Sequence, residues 1–194
     1  MLKIHTLILG LYQVNCYILH REESNQCLII DPGYYPEKIQ AYLRSHNLEA
    51  QAILLTHGHF DHVGGMRTLA TEENIPVYMH PSEYSMPQAI TGGDLGQTLP
   101  YPENFQLAGL EISVLHTPGH TQGSVCLMVE DSLFSGDTLF AGSCGRTDLP
   151  GGDWATIQRS LQLLKNLPGD YRVFPGHGEE TTLSQERKFN PYMR

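Results

Sequence analysis

The stretch Leu54–Gly65, "LLTHGHFDHVGG", holds three histidines and an aspartate within six residues. These residues, His57, His59, Asp61 and His62, follow an apolar run and precede a pair of glycines. Neither core packing nor solubility requires such an arrangement, whereas imidazole and carboxylate groups are ordinary ligands of divalent metals. The stretch therefore predicts a metal site between the end of a strand and the start of a helix.

Three later segments carry further candidate ligands, each beside a glycine and after a predicted strand. They are His120 in "TPGHTQGS", Asp137 in "FSGDTLFAG" and His177 in "FPGHGEETTL". Loops on a rigid scaffold commonly carry function, although Asp137 and His177 taken singly could also be turn residues. Five histidines and two aspartates are too many for one tetrahedral zinc and suit two ions that share a carboxylate. Two divalent ions are expected, with zinc favoured and iron or manganese compatible.

The other histidines carry no such pattern, and we expect them to be ordinary surface or core residues. They are His5, His20, His46, His80 and His116.

Length and composition predict one soluble domain spanning residues 1–194. The formal charge is −9 and the isoelectric point is near 5.5, which argues against binding to nucleic acid or to an anionic membrane. The four cysteines form no CxxC pair, and no apolar segment approaches the ~20 residues of a membrane span. We therefore expect a cytoplasmic protein, and the oligomeric state stays open.

Short apolar runs alternate with stretches of helical spacing. The predicted strands are Lys3–Leu9, Asn15–Leu19, Cys27–Ile30, Ala52–Leu55, Val77–Met79, Leu110–Leu115, Ser124–Val129, Ser132–Phe134 and Arg172–Phe174. The predicted helices are Pro36–Asn47, Gly64–Glu73 and Trp154–Leu167. The strands fall into two groups on either side of a polar segment, residues 81–102, which favours an α+β fold with two sheets covered by helices. An αββα sandwich is one such fold, and periodicity alone does not separate it from other α+β layers.

In this order, the motifs resemble those of the metallo-β-lactamase superfamily, and the resemblance runs from "VNCYIL" and "IIDPG" to "PGHGEETTLSQERKFNP". Within the superfamily the chain looks most like short glyoxalase II-like hydroxyacylglutathione hydrolases. The resemblance implies the αββα sandwich and two mixed sheets flanked by helices. It also implies how the ligands divide: His57, His59 and His120 for the first metal, Asp61, His62 and His177 for the second, and Asp137 as the bridge.

The activity that the resemblance implies is hydrolysis of a thioester such as S-lactoylglutathione or a related hydroxyacyl thioester. A hydroxide between the metals would attack the acyl carbonyl, and Asp61 could orient it. A thiol with a pKa of about 8.5 leaves without a strong general acid. Two divalent ions together with Asp61, Asp137 and a hydroxide would give the site a net charge of about +1. This charge suits a small anionic substrate. Arg146 in "GSCGRTD" is the expected partner of a substrate carboxylate, and a surface salt bridge is an equal alternative.

Two further regions bear on substrate recognition. Cys144 is expected to be a small buried residue and not a nucleophile, because the ligand set is complete without it. The C-terminal residues Arg187, Lys188, Tyr192 and Arg194 could fold over the cleft, although a solvated terminus is favoured. Glyoxalase II enzymes hold glutathione with a C-terminal helical domain. Only residues 178–194 follow the last ligand here, so we expect no such domain and leave glutathione recognition open.

Other functions remain as alternatives. Persulfide dioxygenases of the same superfamily share "CGRTD" and act at a single iron, but they resemble "PAHD" where this chain has "PGHG", and "HVGG" is typical of the hydrolases. Flavodiiron oxidoreductases usually have glutamate at the position of His59. A catalytically idle metal-binding protein is a further alternative, and retention of the whole ligand set argues against it.

Overall fold

The computed structural model describes residues 1–102 and 105–194. Its strands are β1 (Leu2–Leu9), β2 (Val14–Arg21), β3 (Gln26–Ile30), β4 (Glu49–Leu54), β5 (Val77–Tyr78), β6 (Phe105–Leu107), β7 (Leu110–His116), β8 (Val125–Val129), β9 (Ser132–Gly136), β10 (Leu139–Phe140), β11 (Ser143–Cys144), β12 (Arg172–Pro175) and β13 (Thr181–Thr182). Its α-helices are α1 (Pro36–Ser45), α2 (Phe60–Val63), α3 (Met66–Glu72), α4 (Gln88–Thr91), α5 (Trp154–Lys165) and α6 (Leu183–Phe189). Single 3-10 turns cover Pro81–Ser85 and Pro191–Met193.

The strands form two mixed sheets, as their grouping along the sequence predicts. The first sheet has the order β1-β2-β3-β4-β5, antiparallel from β1 to β3 and parallel from β3 to β5. The second has the order β13-β12-β9-β8-β7-β6, in which the pair β9 and β12 is parallel. A separate two-stranded ladder joins β10 and β11.

Alternate residues of β3 show why the sheets stack. Cys27 and Ile29 belong to the apolar cluster that includes the buried residues of α1 and α3, whereas Leu28 and Ile30 belong to the cluster between the two sheets. Successive side chains of a strand point to opposite faces, so one strand supplies two apolar layers. The central layer includes Phe134 from the second sheet. The order of layers is helix, sheet, sheet, helix, which confirms the αββα sandwich.

The outer face of the second sheet is covered by α5 and the C-terminal segment. Leu161 and Leu164 of α5, Leu183 of α6 and Met193 form one buried cluster with this face. Within the described residues, no helix combines the length and the apolar character that crossing a bilayer requires.

The expectation of a solvated C terminus holds for Lys188, Tyr192 and Arg194, which are exposed, but not for the segment as a whole. Met193 is fully buried, and the Arg187 guanidinium donates hydrogen bonds to the main-chain carbonyls of Lys165, Leu167 and Gly169. The bond to Lys165 lies at the carbonyl end of α5, where a cation is favoured, and the other two hold the loop that follows the helix. The segment packs against α5 and does not fold over the cleft described below.

Two further expectations need correction. The predicted helix over 64–73 corresponds to α3, which begins two residues later at Met66, and a separate single turn, α2, precedes the glycines. Gly64 and Gly65 pack against the chain at Pro32 and Gly33: a Cβ on Gly64 would lie 2.2 Å from the Gly33 carbonyl oxygen. The sequence analysis also missed β6, β10, β11, β13, α2, α4 and α6, because two- and three-residue strands and helices of four to seven residues carry little periodicity.

The ends of four strands meet at one edge of the sandwich. In the parallel pair β9 and β12, Gly136 is the partner of Pro175, so the residues that follow both strands emerge together. The sheets are joined there, because the Val125 N–H donates to the Thr56 carbonyl at 2.9 Å and the Asn15 N–H to the Gly176 carbonyl at 2.8 Å. Loops after β4, β7, β9 and β12 therefore converge.

Candidate metal centre

All seven side chains predicted as ligands lie together at this edge. Six of them form two groups in which one possible ligand atom from each residue lies within 4.8 Å of the others, and a third such group, Asp31, His57 and His62, overlaps both. The first group is His57, His59 and His120, and the second is Asp61, His62 and His177.

Asp137 lies between the two groups. Its Oδ1 is 3.4 Å from His62 Nε2 and its Oδ2 is 3.4 Å from His120 Nε2. The same Oδ2 is 3.7 Å from His177 Nε2. One carboxylate thus contacts members of both groups. This is the position expected of a bridging ligand.

Glycines let these loops approach closely. A Cβ on Gly176 would lie 2.2 Å from Asp137 Oδ1, and a Cβ on Gly136 would lie 2.4 Å from Thr56 Oγ1. Gly136 also has a backbone φ of +48°, which residues other than glycine seldom adopt. The motifs "SGD" and "PGH" therefore need glycine for close approach as well as for turning.

In two of the histidines, the ring nitrogen that faces away from the centre is hydrogen-bonded to a main-chain carbonyl. His120 Nδ1 donates to the Arg146 carbonyl at 2.7 Å, and His177 Nδ1 donates to the Tyr12 carbonyl at 2.9 Å. A carbonyl only accepts, so the proton lies on Nδ1 and Nε2 keeps a lone pair. This arrangement is the usual one around metal-bound histidine.

A buried acid that the sequence analysis did not single out orients two more histidines. Asp31 Oδ2 accepts hydrogen bonds from His62 Nδ1 at 2.9 Å and from Thr56 Oγ1 at 2.6 Å. Since the Thr56 hydroxyl donates to Asp31, its oxygen accepts from His57 Nδ1 at 3.0 Å. Asp31 therefore fixes one histidine of each group. Its position directly after the fully apolar end of β3 was an available signal, because a buried aspartate needs partners.

Three buried atoms test whether these residues fit metal ions. His57 Nε2, His59 Nε2 and Asp137 Oδ1 have no hydrogen-bond partner among the residues that the structure describes. A buried polar atom without a partner costs about 1–3 kcal/mol, and native proteins rarely leave several at one place. The donors are nitrogen and oxygen without thiolate, a set that fits zinc, iron or manganese. The residues present therefore fit divalent ions.

The electrostatics of the first group favour neutral imidazoles. Burial lowers the pKa of His57 well below its usual range, and the neighbouring His62 and His59 lower it further. Burial, assisted by His120, lowers the pKa of His59 to about 3. Neutral imidazole is the form that binds a metal.

The second group differs. Burial acts to lower the pKa of His62, but the charges of Asp137 and Asp31 outweigh it and raise this pKa well above its usual value. Burial likewise acts to raise the pKa of Asp137, and the His62 charge outweighs it and holds this pKa far below its usual range. Without metal, a proton on His62 provides the positive charge beside the two carboxylates.

The centre opens into a cleft of about 660 Å³. Asp61, His59, His120, Asp137 and His177 line its floor, and an apolar wall faces them. The wall is formed by Tyr12, Phe60, Ile90, Phe140 and Leu149.

Arg146 and Cys144 also line this cleft. The exposed Arg146 guanidinium forms a two-point ion pair with Asp148, with both N–O distances 2.7 Å. The surface salt bridge anticipated as the alternative is thus present, and the main-chain carbonyl of Arg146 has the further task of holding His120. Cys144 is half-buried and lies outside both ligand groups, and burial raises the pKa of its thiol.

The remaining histidines lie apart from the ligand groups of the described residues. His5 and His46 each stack on Tyr42 with ring centroids 4.0 Å apart, and His80 stacks on His116 at 4.2 Å.

Comparison with known proteins agrees with this fold. The sequence profile of the "Metallo-beta-lactamase superfamily" matches residues 9–177. The chain is 31% identical over 209 residues to the hydroxyacylglutathione hydrolase GloC of Haemophilus influenzae, covering 99% of this chain and 98% of that protein. It superimposes on BLEG-1, described as a B3 metallo-beta-lactamase, with a TM-score of 0.90 and 36% identity, covering 100% and 99% of the two chains. With TTHA1623, solved in a di-iron-bound form, the TM-score is 0.85 and the identity 40%, covering 97% and 99%. The chain belongs to the metallo-beta-lactamase superfamily.

Proposed function

We propose that the protein is a dinuclear metal-dependent hydrolase that cleaves a thioester, S-lactoylglutathione or a related hydroxyacyl thioester. The observation that carries the proposal is the pair of three-residue ligand groups on either side of Asp137. A single ion would use only one group and would leave the other buried without a purpose. The similarity to the hydrolase GloC supports the choice of thioester as substrate.

In this proposal His57, His59 and His120 hold one ion, Asp61, His62 and His177 hold the other, and Asp137 contacts both. Divalent ions in such a pair supply Lewis-acid polarisation of a carbonyl and lower the pKa of water towards neutrality. Zinc is the favoured ion, and iron and manganese suit the same ligands.

Asp61 has a second task in the proposal. It borders the cleft, and although burial acts to raise its pKa, the hydrogen bond from His177 and the charge of His62 lower it. The carboxylate is therefore ionised at neutral pH and can accept a hydrogen bond from the attacking water, which orients the water towards the acyl carbonyl. The departing thiolate has a pKa of about 8.5 and needs no strong acid beside it.

The cleft walls position the substrate. Tyr12 and Phe60 meet edge to face with ring centroids 5.1 Å apart and give one side of the cleft an aromatic surface. On the rim, the Arg146 guanidinium can pair with a substrate carboxylate once that carboxylate replaces Asp148.

A comparison of three reactions on one metal-loaded preparation tests the proposal. Cleavage of S-lactoylglutathione is expected, whereas oxygen uptake with glutathione persulfide and opening of a β-lactam ring serve as the competing activities. Rapid oxygen uptake without thioester cleavage would assign the protein to the dioxygenases. A fully loaded protein that turns over none of the three substrates would support an idle metal-binding role.

A further inference from the structure

Glu83 is a buried acid that the chemistry above does not use. It lies in the 3-10 turn Pro81–Ser85, after the first sheet, and its exposed fraction is 0%. A fully buried glutamate is rare unless its oxygens have partners. Here the partners are main-chain N–H groups of two loops that carry candidate ligands.

Each oxygen of the carboxylate holds one of these loops. Oε2 accepts a hydrogen bond from the Gly58 N–H at 2.6 Å, and Oε1 accepts one from the Gly123 N–H at 2.6 Å. Gly58 stands between His57 and His59, and Gly123 follows His120 by three residues. One carboxylate thus spans the two loops that supply the whole first ligand group.

The two glycines give the carboxylate room. A Cβ on Gly58 would lie 3.0 Å from Glu83 Oε2, and a Cβ on Gly123 would lie 2.6 Å from Oε1. Both distances are too short for a side chain to be added without moving the carboxylate or the loop. The glycine inside "HGH" and the second glycine of "GHTQG" are therefore explained by the approach of Glu83.

We infer that Glu83 is a positioning residue, which fixes the distance between the His57–His59 loop and the His120 loop and thereby sets the geometry of the first metal position. The inference deepens the proposed function and rests on it only for the assignment of these loops to a metal. The first sheet supplies one loop and the second sheet the other, so the carboxylate also ties the sheets together at the centre.

The second ligand group has different supports. His62 is held by Asp31 and His177 by the Tyr12 carbonyl, and neither support involves Glu83. A change at Glu83 should therefore act on one of the two ions. A residue that merely stabilised the fold would not show this selectivity.

The test measures metal binding without substrate. In Glu83→Gln, an amide NH₂ replaces one oxygen and faces an N–H donor, so one loop loses its partner while volume is kept. Titration with zinc against a chromophoric chelator should show one ion bound about 10–100-fold more weakly and the other unchanged, the usual loss when a group that orients a ligand is removed. Cobalt loaded into the same variant should show an altered visible absorption for one of two ions.

Glu186→Gln provides the matched control. Glu186 is also buried and accepts from the Gly142 N–H at 2.8 Å and from Thr181 Oγ1 at 2.7 Å, neither of which belongs to the His57–His59 loop or the His120 loop. It should lower the melting temperature and leave both zinc affinities unchanged.

Gly123→Ala is the second variant, because its added methyl group displaces the carboxylate while Glu83 is kept. If Glu83→Gln fails to fold, Gly123→Ala alone tests the inference. Wild-type affinity for both ions in the folded variant, or equal weakening of both ions, would overturn the inference. A negative thioester assay leaves these readouts intact, so failure of the proposed substrate and failure of the Glu83 assignment are distinguishable.

Discussion

The two ligand groups share a carboxylate and differ in almost everything else. The first is made of imidazoles alone, is almost completely buried and is neutral. The second includes the carboxylate of Asp61 and carries a proton on His62 when no metal is present, and its His177 side chain is 26% exposed. A neutral, buried group binds an ion without displacing a proton, whereas the second group must release one. We therefore expect the first ion to bind more tightly and the second to exchange with solvent more readily.

The largest effect should come from the shared carboxylate. Asp137→Ala removes a contact to both groups and should reduce both metal content and thioester turnover by more than about a hundredfold, because loss of a group that only orients a ligand already costs 10–100-fold. His120→Ala should have a similar effect on turnover and remove the first ion. Metal analysis and steady-state kinetics measure both outcomes. Cys144→Ala is the control, and a loss of metal in that variant would contradict the division into two groups.

Asp31 offers an intermediate effect that sharpens the comparison. Asp31→Asn weakens the acceptor of the His62 Nδ1 proton and should lower affinity for the second ion by about 10–100-fold. The effect on the first ion should be smaller, because Asp31 reaches His57 only through Thr56. Competition with a chelator would report both constants. Equal losses at the two ions would show that Asp31 does not separate the groups.

The metal-free protein should reveal the proton on His62 through its stability. The folded pKa of His62 lies above its unfolded value of about 6.5, so protonated His62 stabilises the fold fully below pH 6.5. This contribution is lost as the pH rises through the raised folded pKa. Urea unfolding of metal-free protein should show falling stability over that range, and His62→Gln should make the fall shallower, leaving the part that the raised pKa of His177 contributes. A wild-type stability that rises there with pH would contradict the assignment of the proton.

The smallest effect is expected on the rim, outside both groups. Arg146→Ala should raise KM for glutathione thioesters by more than it lowers kcat, because the guanidinium would bind substrate and take no part in the chemistry. Asp148→Ala releases that guanidinium from its ion pair and should lower KM by no more than about fivefold, the value of an exposed pair. Unchanged KM in both variants would remove Arg146 from the substrate site.

The residues that emerge directly from strand ends were the easiest to predict. "HGHFDH", "SGD" and "PGH" combine ligand side chains with the glycines that close approach requires, so the sequence alone singled out the seven side chains that the fold brings together. Their division between two ions came from the family resemblance. The two sheets followed from the grouping of apolar runs, and their stacking into an αββα sandwich also came from that resemblance.

The supporting residues could not be predicted in the same way. Glu83 lies in a polar segment, residues 81–102, that carries no periodic signal, and its partners are main-chain N–H groups of residues far along the chain. The carbonyl of Arg146 acts on His120 whatever its side chain is, so no residue type marks that role. The packing of the C-terminal segment was missed because the apolar contacts of Leu183 and Met193 are separated by a charged, exposed stretch.

The number of metal ions per chain tests the central claim most directly. Protein purified without chelator and then saturated with zinc or iron should bind two ions per chain. On dialysis against chelators of increasing affinity, one ion should be released before the other. The ion that remains longer should depend on His120, and the ion released first should depend on His177. One iron per chain, with no second site on saturation, would contradict the account of two ligand groups joined by Asp137.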